Sequence, residues 1–236
     1  VVLSASERST YNNNTAQFYL GRGTGDKANG IETVSVKGVT FTYNHDEDAS
    51  NKTLDTGEVY ATAMSITIED CTFTNNAGLS SWGYLGNDQN PPQNMDVKNC
   101  TFKDLTGRYA VHQNRAKNLA VEGCSFVNCE RGIHTSSPSP ESIVIKNNTF
   151  TGIGVEYGML CLAEHGNGNV SAATITVTGN DATDQACLRF QAQAGGQATY
   201  EQVKAIFDNN TYGIKYATKS VKMYNDSGEL VDYSAQ

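Results

Sequence analysis

Three stretches of this chain carry the same eight-residue pattern: MDVKNCTF (Met95–Phe102), LAVEGCSF (Leu119–Phe126) and IVIKNNTF (Ile143–Phe150). In each stretch two apolar residues stand two positions apart, a charged residue and then a Gly or Asn follow, and the pattern ends on Phe. Alternation with a period of two indicates a β-strand with one buried face. Because the pattern recurs along the chain, it is interpreted as a structural repeat.

Seven copies of the pattern are present, and each is aligned here on its last residue, the anchor. The anchors are Phe41, Phe73, Phe102, Phe126, Phe150, Ala182 and Tyr212. Their separations are 32, 29, 24, 24, 32 and 30 residues, so the bare repeat has 24 residues and longer copies carry inserted loops. The apolar column seven residues before the anchor is Val34, Ile66, Met95, Leu119, Ile143, Ile175 and Ala205, and the column five before is Val36, Ile68, Val97, Val121, Ile145, Val177 and Phe207.

A corner follows these two columns. Three residues before the anchor stand only Gly, Asn and Asp: Gly38, Asp70, Asn99, Gly123, Asn147, Gly179 and Asn209. These residue types tolerate a positive φ, and one such residue turns a strand sharply. We therefore expect a second strand up to the corner and a third strand after it. The next column is also predicted to point inward: Val39, Cys71, Cys100, Cys124, Asn148, Asn180 and Asn210.

These columns predict an all-β fold, a single-stranded right-handed parallel β-helix of about seven coils over residues 31–216. A period of two excludes helical repeats, and a propeller blade needs a longer repeat. Residues 1–30 are predicted to form an incomplete first coil or an N-terminal cap, and residues 217–236 a closing strand or hairpin. The pattern resembles the pectate-lyase-like superfamily, in which an Asn or Gly corner joins the second and third strands. That resemblance covers residues 31–216 and implies the fold, without identifying an individual family.

The first strand of each coil is expected between one anchor and the two apolar columns of the next repeat. If the aliphatic residues there point inward, their neighbours form an outward row: Tyr60, His112, His134, Cys161, Arg189 and Lys215. Either Trp82 or Ser80 joins the row in the coil that contains GLSSWGYLG. Long loops after Phe41 and Phe73 are predicted to overhang this face. Enzymes that resemble pectate lyases use the same face, so the resemblance makes it the candidate site.

Several residues of this face are candidates for carbohydrate binding. His112 and His134 are predicted to be exposed neighbours on adjacent coils, able to bind sugar hydroxyls, to act as acid and base, or to hold a metal. The alternative is two surface histidines without a role. Trp82 is the only Trp, and with Tyr84 it either stacks on a sugar ring or anchors its loop. Tyr60 and Arg189 complete the set of predicted binding residues.

An acidic loop supplies the candidate carboxylates. Asp46, Asp48 and Asp55 could bind calcium, and Asp48 with Asp55 could form a carboxylate pair for glycoside hydrolysis, with His112 and His134 as further catalytic residues. The alternative is a solvated acidic loop. The chain has neither the Arg-x-Pro-x-x-Arg segment of pectate lyases nor the paired Asp and Arg-x-Lys motifs of polygalacturonases. The resemblance therefore does not imply either activity.

Composition limits the partners. The net charge is −8 and only 17 of 236 residues are Lys or Arg, so nucleic acid is not an expected partner. No apolar run approaches the ~20 residues of a membrane span, so membrane insertion is not expected. Three cysteines share one inward column and cannot all pair with each other, so Cys71, Cys100 and Cys124 are predicted to be reduced. Cys129, Cys161 and Cys187 are left open.

Three functions remain as hypotheses. The first is a secreted or cell-surface domain of a larger bacterial protein that binds extracellular carbohydrate through the first-strand face, as an adhesin does. The second is a glycoside hydrolase or polysaccharide lyase that uses the same face, and the third is a structural stalk. Because open coil ends expose strand edges, a neighbouring domain or partner chain is expected at the N-terminal end. No other cofactor is predicted.

Overall fold

The computed structural model describes most of the repeat and parts of both ends. The described residues are 1–5, 16–20, 32–43, 57–61, 63–75, 77–81, 93–113, 116–135, 140–153, 159–162, 172–186, 188–190, 202, 205–206, 208–214, 222–224 and 230–232. Strands are numbered below in chain order. Within the described residues, no helix is both long and apolar enough to cross a membrane.

The strands form two parallel sheets and one separate pair. The second strands make a six-stranded sheet: β3 (Thr33–Lys37), β6 (Ser65–Glu69), β9 (Asn94–Lys98), β11 (Asn118–Glu122), β13 (Ser142–Lys146) and β16 (Thr174–Thr178). The third strands lie in a larger sheet: β1 (Val2–Ala5), β4 (Thr40–Tyr43), β7 (Thr72–Thr74), β10 (Thr101–Gln113), β12 (Ser125–Thr135), β14 (Thr149–Thr151), β17 (Asp181–Ala186) and β19 (Thr211–Ile214). First strands join the same sheet: β2 (Ala16–Leu20), β5 (Gly57–Ala61), β8 (Ala77–Ser81), β15 (Leu160–Leu162) and β18 (Leu188–Phe190). Strands β10 and β12 each continue from the third strand of one coil into the first strand of the next coil. Strand β20 (Lys222–Tyr224) pairs antiparallel with β21 (Leu230–Asp232).

The anchors stack in register at the centre of the coil. Five buried phenylalanines form one column with ring centroids 4.6–5.0 Å apart and nearly parallel planes: Phe41, Phe73, Phe102, Phe126 and Phe150. The aliphatic columns pair in register on the second-strand sheet, where Ile66, Ile68, Met95 and Val97 are fully buried. A parallel β-helix is therefore the observed architecture, as the repeat predicted.

The corner residues adopt the predicted backbone conformation. Positive φ values between 52° and 67° occur at Gly38, Asp70, Asn99, Gly123, Asn147 and Gly179. A second column of positive φ was not predicted from the sequence, and it lies two residues after four of the anchors: Asn75, Asp104, Asn128 and Gly152. There Asn128 Nδ2 donates to Asp104 Oδ1 at 3.1 Å. The segments TFTN, TFKD, SFVN and TFTG contain the signal, because each places Asn, Asp or Gly at the same offset.

A buried polar ladder runs beside the aromatic column. Each main-chain amide donates to the ladder side chain of the next coil: Cys71 N to Cys100 Sγ at 3.4 Å, Cys100 N to Cys124 Sγ at 3.4 Å, Cys124 N to Asn148 Oδ1 at 2.8 Å, Asn148 N to Asn180 Oδ1 at 2.9 Å and Asn180 N to Asn210 Oδ1 at 2.9 Å. Each side chain also donates to a main-chain carbonyl of the preceding coil, as Cys100 Sγ does to Ile68 O at 3.6 Å and Asn148 Nδ2 to Val121 O at 3.0 Å. Cys thiols and Asn amides therefore bond to equivalent main-chain groups in successive coils.

The described cysteines are reduced, as predicted for the ladder. Cys71, Cys100, Cys124 and also Cys129 are buried free thiols. Burial raises the pKa of the Cys71 thiol, and burial raises the pKa of Cys129 to about 12. A hydrogen bond with Cys124, together with burial, raises the pKa of Cys100. These three thiols therefore stay protonated at neutral pH. Cys187 and the side chain of Cys161 lie outside the described part of the chain.

The last predicted second strand is wrong. Gln202, Ala205, Ile206 and Asp208 have helical backbone conformation. The column assignment required Ala205 to point inward, but Ala205 is exposed and its neighbour Ile206 is buried. The turn is held by side-chain amides that bond back to carbonyls four residues earlier, Asn209 Nδ2 to Ala205 O and Asn210 Nδ2 to Ile206 O, both at 2.6 Å. Such local side-chain bonds compete with strand pairing.

Candidate functional site

The outward row of the first strands has the predicted register. Successive partners along the sheet are Tyr60 with Ser80, Ser80 with His112, His112 with His134, His134 with Cys161, and Cys161 with Arg189. Ser80 therefore takes the position that the sequence left open between Ser80 and Trp82. The predicted adjacency of His112 and His134 is confirmed. Lys215, Trp82 and Tyr84 lie outside the described residues.

The prediction that both histidines are exposed is wrong. His112 is 8% exposed and His134 is 0% exposed. The Tyr109 ring packs against both imidazoles, with centroids 4.4 Å from His112 and 4.1 Å from His134. The rings are tilted by 50° and 38°, which is the kind of arrangement that aromatic pairs favour over a face-to-face sandwich. Tyr109, itself buried, thus joins the two histidines into one cluster.

The pairing of β10 with β12 changes register just before Tyr109. The pairing of β10 with β12 is interrupted between Leu105 and Tyr109 and resumes with Tyr109 opposite Arg131. Insertions of this kind bend a strand and redirect a side chain. The bend follows Asp104, whose φ of 57° turns the chain from the third strand toward the first. The long strand β10 therefore changes direction just before the residues that form the cluster.

Arg131 completes the cluster from the neighbouring coil. Its Cζ lies 5.1 Å from the centroid of the Tyr109 ring, within the range of a cation–π interaction. Its Nε lies 3.6 Å from Glu130 Oε1, and 19% of its side chain is exposed. The Arg131 side chain therefore combines a stacking contact inside the cluster with partial exposure to solvent.

Two glycines allow the coils to approach closely around the cluster. A Cβ on Gly132 would overlap Met159 O, and a Cβ on Gly78 would overlap Tyr109 O. Any larger residue would push the neighbouring main chain away. Gly132 lies directly between Arg131 and Ile133, so this close approach holds the main chain next to Arg131 in place.

The ends of the two first strands are also anchored. Gln113 and Thr135 directly follow the histidines, are partners in the sheet, and are buried. Gln113 Nε2 donates to Ala116 O at 2.7 Å, which ties the end of this first strand to Ala116. His112 therefore packs against Tyr109 and directly precedes an anchored side chain.

Sequence reasoning missed Tyr109 and Arg131. The segments YAVHQ (Tyr109–Gln113) and RGIHT (Arg131–Thr135) align residue by residue, and their histidine columns were recognised. The first column of the same alignment holds Tyr and Arg, which are residue types common at binding sites. That column contained the signal, but the sequence does not show that the Tyr109 ring packs against both imidazoles or that the Arg131 guanidinium lies near that ring.

The fold agrees with the comparison with known protein families. The family model described as the right-handed β-helix region matches residues 28–226. The chain belongs to this family. Searches of curated proteins and of solved structures found no significant match. Membership in the right-handed β-helix family defines the architecture of the domain and leaves its ligand open.

The acidic candidates fall outside the part of this β-helix that the structure describes. Asp46, Asp48 and Asp55 lie in residues 44–56, which are not described. Tyr60 and Arg189 occupy row positions in β5 and β18, but their side chains are not described. Among the described residues, no group of three or more His, Cys, Asp or Glu is arranged to hold a metal ion. The proposed calcium site and carboxylate pair therefore stay predictions.

Proposed function

We propose that this β-helix binds carbohydrate along its first-strand face, as a domain of a secreted or cell-surface protein. The observation that supports this most directly is the cluster of Tyr109, His112, Arg131 and His134, which draws side chains of two adjacent coils to one place on that face. The resemblance to pectate-lyase-like proteins, which use the same face, adds support.

The chemistry of the cluster suits a sugar. A guanidinium presents several donors in a fixed plane, and these match the hydroxyl and carboxylate oxygens of glycans. Arg131 is the member of the cluster that reaches solvent, so it is the proposed contact. Because the histidines are buried, we assign them to holding Tyr109 and, through it, Arg131. This changes their predicted role from direct contact to positioning.

The row itself favours an extended ligand. Its positions repeat at the strand spacing of about 4.8 Å along six coils, from Tyr60 to Arg189. A linear polymer lying along this face would cross one row position per coil. Because His112 and His134 are buried, its proposed contact in those two coils is Arg131.

A carbohydrate-active enzyme is the second candidate. Two imidazoles, a phenol and the carboxylate of Glu130 lie in one region, and each is a residue type that can transfer protons. On this reading, Asp48 and Asp55 supply the carboxylate pair, and His112 and His134 act as acid and base. A stalk without a ligand is the remaining alternative.

The decisive experiment is a broad glycan array read for both retention and released product. The informative variants are Arg131→Ala and Trp82→Ala, and the matched control is Lys98→Ala, which removes an exposed cation from the opposite sheet. We expect wild type and Lys98→Ala to bind equally, and Arg131→Ala to bind roughly tenfold more weakly. Product release would favour the enzyme. Retention that neither Arg131→Ala nor Trp82→Ala reduces would contradict the proposal, and absence of binding to any glycan would favour the stalk.

A second comparison separates contact from positioning. Tyr109→Phe keeps the ring contacts with both histidines, whereas the double change His112→Ala with His134→Ala removes them. We expect Tyr109→Phe to retain most binding and the double variant to lose it together with some stability. Thermal unfolding of each variant shows whether lost binding exceeds what partial unfolding explains.

A further inference from the structure

Three residues of types that commonly bind metals occupy successive positions of the outward row. His112 on β10 pairs in register with His134 on β12, and His134 pairs in register with Cys161 on β15. Neighbouring strands of a sheet are about 4.8 Å apart, so each of these positions is one strand spacing from the next. Imidazole nitrogens and thiolates are ligands that zinc prefers in proteins. The register therefore brings two histidines and one cysteine to one place on the first-strand face.

The three positions share the outer face of the first strands. Each directly follows a residue of the core, because Val111, Ile133 and Leu160 are fully buried. Successive residues of a strand alternate between its two faces, so the next position in each strand belongs to the outer face. The side chain of Cys161 is not described, and its place in the row follows from the main-chain register of β15.

The spacing of the row suits a single zinc ion. Zinc–nitrogen bonds of about 2.0–2.1 Å and zinc–sulfur bonds of about 2.3 Å, at tetrahedral angles, place two donor atoms about 3.3–3.6 Å apart. Side chains that start about 4.8 Å apart on neighbouring strands reach this separation when they lean together by a total of roughly 1.5 Å. An imidazole extends further from the main chain than a thiol does. An ion that lies close to Cys161 is therefore within reach of both histidines.

The two imidazoles are already held next to each other. His112 is 8% exposed, His134 is fully buried, and the Tyr109 ring packs against both. The residue after His112, Gln113, is tied through its side chain to Ala116 O. Ligands that are fixed before binding lose little conformational freedom when they bind, so this packing favours a metal site.

The charges of the cluster explain why the third ligand matters. Arg131 Cζ lies 5.1 Å from the centroid of the Tyr109 ring, and Arg131 Nε lies 3.6 Å from Glu130 Oε1, so these two charged side chains offset each other. A divalent ion held by neutral ligands alone would bring two positive charges to this enclosed place. With one thiolate ligand the ion adds a single net charge, which lowers the cost of placing it beside buried side chains.

We propose that His112, His134 and Cys161 form a zinc site on the first-strand face. Each imidazole donates a nitrogen lone pair, and Cys161 binds as the thiolate, so its proton is released to solvent when the ion binds. Three protein ligands leave the fourth position of a tetrahedral ion for water or for an oxygen of a bound molecule. Nitrogen and sulfur ligands distinguish this site from the calcium site predicted in the acidic loop, because carboxylates suit hard cations.

Cys161 decides the site, because the described side chains alone contain no group of three metal ligands. The probe is Co²⁺, which takes the same tetrahedral ligands as zinc and gives intense visible absorption, with a near-ultraviolet charge-transfer band when a thiolate binds it. We expect metal-free wild-type protein to bind one equivalent of Co²⁺ with both bands, Zn²⁺ to abolish them and Ca²⁺ to leave them unchanged. Absence of the charge-transfer band, or its loss on addition of Ca²⁺, would overturn the proposal.

Matched variants locate the ion. Cys161→Ser removes the thiolate, His134→Gln removes an imidazole, and Cys129→Ser removes a buried thiol that is not in the row. We expect Cys161→Ser and His134→Gln to bind Zn²⁺ at least about tenfold more weakly in competition with a chromophoric chelator, since loss of even an outer-shell partner has an effect of roughly this size. Cys161→Ser also loses the charge-transfer band, whereas Cys129→Ser keeps it. A band that Cys161→Ser keeps, or that Cys129→Ser loses, would contradict the assignment.

A measurement on the wild-type protein avoids any effect of substitution on folding. Iodoacetamide alkylates free thiolates, and mass spectrometry identifies the modified cysteine. We expect saturating Zn²⁺ to slow the alkylation of Cys161 at least about tenfold, and Mg²⁺ to leave it unchanged. Equal rates with and without Zn²⁺ would refute the site. No glycan enters these measurements, so the zinc site and the proposed carbohydrate binding succeed or fail independently.

Discussion

The main-chain amide of Cys124 donates to Asn148 Oδ1 at 2.8 Å, and at this pair the buried ladder changes from thiols to amides. Asn148 also donates to Val121 O at 3.0 Å. One side chain therefore satisfies two buried main-chain groups of the preceding coil. Cys100 bonds in the same way to Cys71 N and to Ile68 O.

Asn148→Ala is expected to destabilise the coil. The change leaves Cys124 N and Val121 O buried without these partners, and we expect the free energy of unfolding to fall by roughly 2–4 kcal/mol. Denaturant unfolding followed by circular dichroism measures the effect. Asn148→Cys is the matched control, because a thiol fills this column in three other coils and is expected to restore part of the loss. An alanine variant as stable as wild type would show that the ladder does not contribute to stability.

Stability is expected to decrease above pH 9 because of the buried thiols. Burial raises the pKa of Cys129 to about 12 from its ordinary value of 9.0, so the unfolded chain releases this proton at a lower pH than the folded chain. The stabilising contribution is complete below pH 9 and is lost as the pH rises from about 9 to about 12. The measurement is urea unfolding at fixed ionic strength from pH 7 to pH 11.

Cys129→Ala provides the control for this pH dependence. The variant loses some packing at every pH, but its stability is expected to fall less steeply than that of wild type between pH 9 and pH 11. Wild-type and variant curves that run parallel over this range would contradict the assignment to Cys129. The burial that raises the thiol pKa also predicts that Cys129 reacts slowly with thiol reagents until the coil unfolds.

Two corner glycines are expected to respond differently to the same substitution. Gly38 and Gly123 both have positive φ, 67° and 64°, which Asn tolerates. A Cβ on Gly38 meets nothing within 4 Å, whereas a Cβ on Gly123 lies 2.8 Å from Asn99 Oδ1. We therefore expect Gly38→Asn to be nearly neutral and Gly123→Asn to lose about 1–2 kcal/mol of unfolding free energy through overpacking. Equal effects in thermal unfolding would show that the neighbouring Asn moves aside freely.

The sequence predicted the repeat well because its signals are local. The Phe anchors stack as expected, and Gly38, Asp70 and Asn99 turn the chain as their residue types indicate. The prediction failed at Ala205, where Asn209 and Asn210 bond back to the chain and hold a helical turn. The columns there matched the repeat in residue type, but competition between local and cross-coil bonds is not visible in the pattern.

The site was predicted only in part. The adjacency of His112 and His134 followed from aligning two short segments, since parallel coils keep equivalent positions in register. Their burial did not follow, because it depends on Tyr109 and on a break in pairing after Leu105. Tyr109 and Arg131 were missed because their contacts with the histidines and with each other depend on side-chain packing between two coils.

By itself the sequence determined the coil: which residues face inward, where the chain turns and which thiols stay reduced. Those properties follow from a period of two and from residues that accept a positive φ, and each acts over a few residues. Only the tertiary structure decided what the first-strand face presents. It buried two histidines against Tyr109 and left the Arg131 side chain partly exposed. These features depend on which coils meet and in what register, so they appear only when the coils are stacked.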